Sequence, residues 1–216
     1  MESLITGCVL ILVCMVISIL FYNQLEPKWL KVFTWFLLFT ILSQVAGFVY
    51  SFYSKKSNHF IFNIYILVQF IFYFGIFYKT FQSKKFKLTT LFITLAFLVY
   101  YWYIIIFETG FYVFNSAGNS VGSVLTIFCC LLYFVSLFSS EIVVNYFRIS
   151  MFWIATGLLF FFVGNFIYLT FIGYIVNHNL DSGGNFYRYI MVTLNLLMYG
   201  LFSIGFISNQ LWKKTM

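Results

Sequence analysis

The chain is short, very apolar and poor in charge: of its 216 residues, 63% are hydrophobic, 25% aromatic and 8% charged. Soluble domains carry about 25% charged and about 45–50% apolar residues, so these charges are too few to cover a water-exposed surface. The composition excludes a soluble enzyme, a disordered chain, a collagen and a disulfide scaffold, and it predicts a protein embedded in a lipid bilayer. The net charge of +7 is not gathered on a basic face of the size that nucleic acid needs, so we expect no nucleic-acid partner.

Seven apolar runs have the length of a membrane-spanning helix, which takes roughly 20 residues. In chain order they are Leu4–Tyr22, Val32–Phe52, Phe60–Tyr78, Leu88–Phe107, Val121–Leu137, Met151–Tyr174 and Tyr189–Ile207. We interpret the first run as a retained helix rather than a signal peptide, because no Lys or Arg precedes it. The runs are continuously apolar, which favours helices over the alternating strands of a membrane β-barrel. They predict an all-α membrane protein, a single seven-transmembrane-helix bundle over residues 1–216.

The basic residues are divided unequally between the two sides that seven crossings create. Nine of the twelve lie on one side, namely Lys28, Lys31, Lys79, Lys84, Lys85, Lys87, Arg148, Lys213 and Lys214. The other side has three, namely Lys55, Lys56 and Arg188. Because cytoplasmic loops are enriched in Lys and Arg, we predict that the N-terminus lies outside and the C-terminus lies in the cytoplasm.

Two further features bear on packing. The longest outer connection, from Glu108 to about Ser120, contains the apolar stretch Phe111–Phe114, which we expect to lie on the membrane surface or to cap the bundle. Gly157 and Gly164 are seven residues apart and therefore share one helix face. Small residues at such positions let a second helix approach closely, so we interpret both glycines as packing positions.

Amides and phenols, rather than charged groups, supply the polarity inside the runs. Gln44 and Gln69 fall at mid-span, and most of the others fall in the outer half. Since polar groups in lipid face the interior of a bundle, we predict an outer-half ligand pocket. Its candidate residues are Gln44, Asn63, Gln69, Tyr100, Asn165, Tyr168, Arg188 and Asn195. The alternative is that these side chains only join helices by hydrogen bonds worth about 0.6 kcal/mol each.

No Asp, Glu, Lys, Arg or His lies at the centre of any run, which argues against several activities. A proton-coupled carrier needs an acid or base at mid-depth, and a retinal protein needs a lysine in its last helix, which Tyr189–Ile207 lacks. His59 and His178 lie in outer loops far apart in sequence, so the spacing of a metal site is missing. We therefore expect no enzymatic activity, no cofactor and no bound metal.

Two stretches resemble a group of known proteins. They are Phe152–Phe160 followed by Gly164, and Asn63–Phe70. Both are similar to stretches in a group of small seven-transmembrane-helix bacterial membrane proteins that are often encoded near sensor histidine kinases. That group commonly has an acidic residue where Gln69 stands in this chain. The resemblance implies a signalling association and a place in the bacterial cytoplasmic (inner) membrane, and it implies no particular activity.

These observations together predict a non-enzymatic, multi-pass membrane sensor or signalling subunit. Its short basic loops are expected to contact membrane lipid headgroups or a protein partner such as a signalling kinase. The residues of that contact are Lys79, Lys84, Lys85 and Lys87. Two alternatives stay open: a membrane subunit of a larger complex without a ligand of its own, and a transporter of a small neutral solute.

Overall fold

All regular secondary structure in the described part of the chain is helical. The computed structural model describes residues 2–139, 145–178 and 185–211. Its seven α-helices are α1 (Glu2–Leu20), α2 (Lys31–Ser54), α3 (His59–Thr80), α4 (Lys84–Tyr103), α5 (Ser116–Phe138), α6 (Ser150–Asn177) and α7 (Asn185–Leu211). Single 3-10 turns occupy Tyr22–Gln24, Lys28–Leu30 and Tyr146–Arg148, and α4 continues as a π-helix over Ile104–Thr109. Each helix overlaps one predicted run, so the prediction of an all-α bundle is confirmed.

Among the described residues, six helical segments are long and apolar enough to cross a membrane. They are Lys28–Ser54, His59–Thr80, Lys84–Thr109, Ser116–Phe138, Ser150–Tyr168 and Arg188–Ser208. The corresponding apolar segment of α1, Thr6–Leu20, is shorter. The large apolar side chains that point outward from these helices, such as Phe92, Val99 and Leu131, suit a surface that contacts lipid. The described part of the chain is thus a helical bundle with six segments that are long and apolar enough to cross a membrane, consistent with a multi-pass membrane protein.

Helices that follow one another in sequence pack side by side, and α7 closes the arrangement against α1. In addition α3 contacts α5, so α3 lies innermost, between α2, α4 and α5. Short connections between neighbouring helices give an antiparallel order, which defines two ends of the bundle. We call the end with the connections α1–α2, α3–α4 and α5–α6 the basic end, and the other the opposite end. Lys213 and Lys214 lie outside the described residues.

Aromatic rings fill the core where α2, α3 and α7 meet. The ring of Phe33 lies 5.3 Å from that of Phe72, 5.0 Å from that of Phe202 and 5.5 Å from that of Phe206, always edge to face. This geometry is the preferred one for aromatic pairs. It holds three helices together without a charged group, as a core inside lipid requires.

The two glycines predicted as packing positions on α6 both face α7. A Cβ on Gly164 would lie 2.5 Å from Leu194 Cδ2, and one on Gly157 would lie 3.1 Å from the Met198 carbonyl oxygen. Any larger side chain at Gly164 would require the Leu194 side chain to move or the two helices to separate. The interpretation of these glycines as packing positions is therefore confirmed.

Candidate functional site

At the opposite end of the bundle, Asn63 on α3 binds the backbone of the α4–α5 connection. Its Nδ2 donates to the carbonyl oxygens of Phe111 (3.0 Å) and Val113 (2.8 Å), and its Oδ1 accepts from the Asn115 N–H (3.0 Å). The side chain is 1% exposed, and both hydrogens of its amide are used within the chain. Asn63 therefore fixes the apolar stretch over the end of the bundle, as the capping alternative for this stretch predicted.

Tyr101 and Asn115 complete this arrangement, which we call the Asn63 clamp (Asn63, Tyr101 and Asn115). The Tyr101 hydroxyl donates to the Asn63 carbonyl oxygen at 2.7 Å. The Asn115 Oδ1 accepts from the Gly118 N–H at 2.7 Å and so caps the N-terminus of α5. The Asn115 Nδ2 is buried beside Tyr101 without a hydrogen-bond partner among the described residues. Asn115 was not among the residues predicted from the sequence to have a role, although an Asn just before an apolar run is a known signal for the start of a helix.

Gln69 lies one helical turn from a second polar group, the hydroxyl of Tyr73, with which its side chain interacts. The neighbouring helices contribute Thr40 beside Tyr65, and Tyr199 close to both tyrosines. We call Thr40, Tyr65, Gln69, Tyr73 and Tyr199 the phenol cluster. It is uncharged and joins α2, α3 and α7 in the middle of the bundle, so it can stabilise the helix contacts or contact a neutral ligand.

The remaining predicted pocket residues are spread over four helices. Gln44 is half-buried on α2 and accepts a hydrogen bond from the Cys8 thiol (3.5 Å), whereas Asn195 on α7 donates to the Met191 carbonyl of its own helix (2.8 Å). Tyr100 lines a shallow apolar groove formed by α4 alone. Asn165 and Tyr168 are buried on α6. Arg188 is half-buried and lies 5.6 Å from the ring of its neighbour Tyr189.

These placements bring some candidates together and leave others apart. Asn63 acts through backbone contacts at the opposite end, Gln69 belongs to the phenol cluster, and Tyr100 faces outward. Four cavities lined by described residues lie at the basic end, along α4, between α2 and α3, and between α1 and α2, and none of these four is lined by more than one of the candidate side chains. The outer-half pocket therefore stays a prediction.

At the basic end, an open cavity of about 730 Å³ lies between three connections of the bundle. Its wall is formed by Glu26–Trp29 before α2, by Lys79, Thr80 and Gln82 at the end of α3, and by Arg148–Met151 at the start of α6. These segments are far apart in sequence, so the cavity exists only in the assembled bundle. We call it the basic cavity.

Positive charge dominates the basic cavity. Lys28 and Arg148 lie in two different connections and Lys79 lies in the last turn of α3. Glu26 is the one acidic residue of the wall, which leaves two net positive charges. The N-terminus of α6 contributes Ser150, and the first N–H groups of a helix have no intrahelical acceptor and carry partial positive charge. This combination of fixed cations and helix N-terminus is typical of sites for phosphate and other anions.

Ser150 has a further property. It is 3% exposed, and its Oγ is buried without a hydrogen-bond partner in the part of the chain that the structure describes. A buried hydroxyl usually has a partner. Ser150 thus places a hydroxyl group with unused hydrogen-bonding capacity in the wall of the cavity.

A second, apolar groove of about 230 Å³ adjoins the basic cavity. Its wall includes Trp29 and Lys79, which both cavities share, and Val32, Phe72, Gly75 and Ile76 on α2 and α3. A Cβ on Gly75 would meet no atom within 4 Å, so this glycine leaves open space rather than a close helix contact. We call this feature the α2–α3 groove.

Of the four lysines predicted to contact lipid or a partner, only Lys79 lines the basic cavity. Lys84 and Lys85 are exposed on the first turn of α4, and Lys87 is half-buried. Arg148 and Lys28 were counted in the sequence only as topology signals. The sequence did contain a signal for the cavity. Lys28 and Arg148 each precede a helix that starts at the end of the bundle where Lys79 lies, and antiparallel order brings the connections at one end together.

Within residues 2–139, 145–178 and 185–211, no three or more His, Cys, Asp or Glu side chains are grouped to hold a metal ion. No family model, no curated protein and no solved structure matches the chain.

Proposed function

We propose that this chain is a non-enzymatic sensor or signalling subunit of the bacterial cytoplasmic membrane, with its recognition surface at the basic end. The observation that carries the proposal is the basic cavity, whose cations are Lys28 in the α1–α2 connection, Lys79 in the last turn of α3 and Arg148 in the α5–α6 connection. A ligand that contacts all three cations binds most tightly to the arrangement of α2, α3 and α6 that brings those cations together. Binding then shifts the population of helix arrangements, which is what a sensor needs.

A pair of spin labels tests this coupling. The labels are placed at Gln24→Cys and Lys85→Cys, both exposed at the basic end and outside the cavity wall. The four native cysteines are buried or half-buried, so brief labelling favours the introduced pair. We expect the distance between the labels to change when the full chain is moved from phosphatidylcholine vesicles to vesicles that also contain an anionic phospholipid.

The control pair is Lys56→Cys with Tyr112→Cys at the opposite end, where both side chains are exposed. Its distance should stay the same in both lipids. A basic-end distance that is unchanged while lipid binding is demonstrated independently would contradict the sensor proposal. That result would favour a complex subunit that is held rigid and has no response of its own.

The proposed topology has seven crossings, with the N-terminus outside and the C-terminus in the cytoplasm. The support for α1 as the seventh crossing is its pairing with α2. The Cys8 thiol donates a hydrogen bond to Gln44, and Ser18 forms a hydrogen bond with Thr34. Moving ten residues forward along α1 therefore corresponds to moving ten residues backward along α2. The two helices therefore run antiparallel at the same depth, and 19 residues span about 28 Å, close to the hydrocarbon thickness of about 30 Å.

Reporter tags at the two termini test this count. An odd number of crossings places the tags on opposite sides of the membrane, and six crossings place them on the same side. Protease protection of each tag in right-side-out vesicles distinguishes these results. Tags on the same side would contradict the seventh crossing but would leave the basic cavity unaffected.

The outer-half pocket is a second candidate recognition site, and the phenol cluster is the observation that favours it. Gln69 and the three tyrosines offer uncharged donors and acceptors suited to a small neutral ligand. Replacing Gln69 or Asn165 by leucine should then weaken stabilisation by that ligand without unfolding the bundle. A polar path from this site to the basic end would favour the transporter alternative. Uptake of a small neutral solute into vesicles that contain the protein tests that alternative.

A further inference from the structure

The basic cavity and the α2–α3 groove have complementary chemistry and share wall residues. Trp29 and Lys79 belong to both. One side of this boundary has three cations, and the other has the apolar residues Val32, Phe72 and Ile76. A phospholipid combines the same two chemistries in the same order, a phosphate group at the bilayer surface joined to acyl chains within it.

The phosphate half of the fit depends on Lys28, Lys79 and Arg148. A guanidinium can bind two phosphate oxygens at once, and ammonium groups add point charges. The start of α6 adds backbone N–H groups and the Ser150 hydroxyl, which has no hydrogen-bond partner among the described residues. Basic pockets between transmembrane helices at the membrane surface are suited to anionic lipid headgroups.

The acyl half of the fit depends on Gly75. Its missing side chain leaves the floor of the α2–α3 groove open, since a Cβ there would contact nothing within 4 Å. In the helix interior glycine is less favourable than alanine by about 1 kcal/mol. The α3 residues of the groove, from Phe72 to Lys79, follow one another along the helix, so an acyl chain in the groove would run along α3.

We propose that the basic cavity and the α2–α3 groove together bind one anionic phospholipid. Its phosphodiester contacts Lys28, Lys79 and Arg148, and one acyl chain lies over Gly75. The inference rests on the same basic-end site as the proposed function and names the class of ligand. It differs from general attraction between basic loops and an anionic surface, because it requires both a defined cavity and an adjoining groove.

The test titrates the purified full chain in mild detergent and follows its thermal unfolding. Three probes are compared: phosphatidylglycerol, phosphatidylcholine with the same acyl chains, and inorganic phosphate. Ligands that bind the folded state raise the unfolding midpoint in proportion to their affinity. We expect phosphatidylglycerol to stabilise the chain, phosphatidylcholine to have little effect, and phosphate alone to bind much more weakly than the lipid.

Two variants separate the headgroup from the acyl chain. Lys28→Gln with Lys79→Gln removes two exposed cations and should weaken phosphatidylglycerol binding by roughly 25-fold, about fivefold for each charge. Gly75→Leu places a side chain in the groove at a position where an added Cβ meets no atom within 4 Å. It should weaken lipid binding by about tenfold while leaving the response to phosphate unchanged. The matched controls are Gly200→Leu, at another glycine with open space, and Lys56→Gln at the opposite end.

Three results would overturn the inference. The first is that phosphatidylcholine stabilises the chain as much as phosphatidylglycerol does. The second is that both site variants bind phosphatidylglycerol as tightly as the wild type. The third is that phosphate stabilises the chain as much as the lipid does and that Gly75→Leu does not change this stabilisation. The last would identify a site for free phosphate. Lipid binding with the expected variant pattern, but without movement of the Gln24 and Lys85 labels, would refute the sensor role and leave the lipid site standing.

Discussion

Replacing Asn63 by leucine, which has the same side-chain branching but no hydrogen-bonding atoms, tests a buried amide that makes three hydrogen bonds among the described residues. The change removes three hydrogen bonds between α3 and the α4–α5 connection. Side-chain hydrogen bonds in membrane proteins average about 0.6 kcal/mol, so three give a loss of roughly 2 kcal/mol. The buried partners left behind raise this loss, because an unsatisfied buried group costs about 1–3 kcal/mol. Thermal unfolding in detergent should show a midpoint lower by about 4–8 °C.

Hydrogen exchange of the same variant locates the effect. We expect faster exchange at the backbone N–H of Asn115, which loses its acceptor, and little change in α6 and α7. Asn195→Leu is the control. Within the described residues the Asn195 amide donates to the Met191 carbonyl of its own helix, so its loss should cost less than about 1 kcal/mol. Wild-type stability together with wild-type exchange in Asn63→Leu would refute the reasoning that this amide holds the connection.

Three further outcomes follow from the packing. Gly122→Val should destabilise the bundle by at least about 2 kcal/mol, because a Cβ there would lie 2.3 Å from an aromatic ring of α3; normal unfolding would contradict this close approach. Tyr73→Phe removes the hydroxyl beside Gln69 and should cost only about 0.6 kcal/mol, so an unfolded variant would show that the phenol cluster matters more than we infer. Cys129 and Cys130 are fully buried and should resist a maleimide until the chain unfolds, whereas the half-buried Cys8 of α1 should react earlier.

The helices could be predicted from the sequence because each depends on a local property. A continuous apolar run of about 20 residues specifies a spanning helix wherever it occurs, and all seven predicted runs correspond to helices. The face shared by Gly157 and Gly164 also follows from local periodicity. The π-helix that extends α4 was not expected, because nothing in Ile104–Thr109 distinguishes it from a continuing α-helix.

The polar contacts could be predicted only in part, because they join distant segments. That Asn63 faces the interior follows from its place in a span, but its backbone partners at Phe111 and Val113 lie 48 and 50 residues further along the chain. The basic cavity is similar, since Lys28 and Arg148 become neighbours only when α2 and α6 pack into the bundle. Charge counting gave the end of the bundle at which these residues lie, but not the cavity.

The account depends most on hydrocarbon surrounding the helices, with the basic end on the cytoplasmic side. Single cysteines at Lys56→Cys and Lys85→Cys, both exposed and on opposite sides of α3, test this in intact bacterial cells with a membrane-impermeant maleimide. The account predicts that the label reaches position 56 in intact cells and reaches position 85 only after the membrane is opened. Labelling of position 85 but not of position 56, or of both, would contradict it.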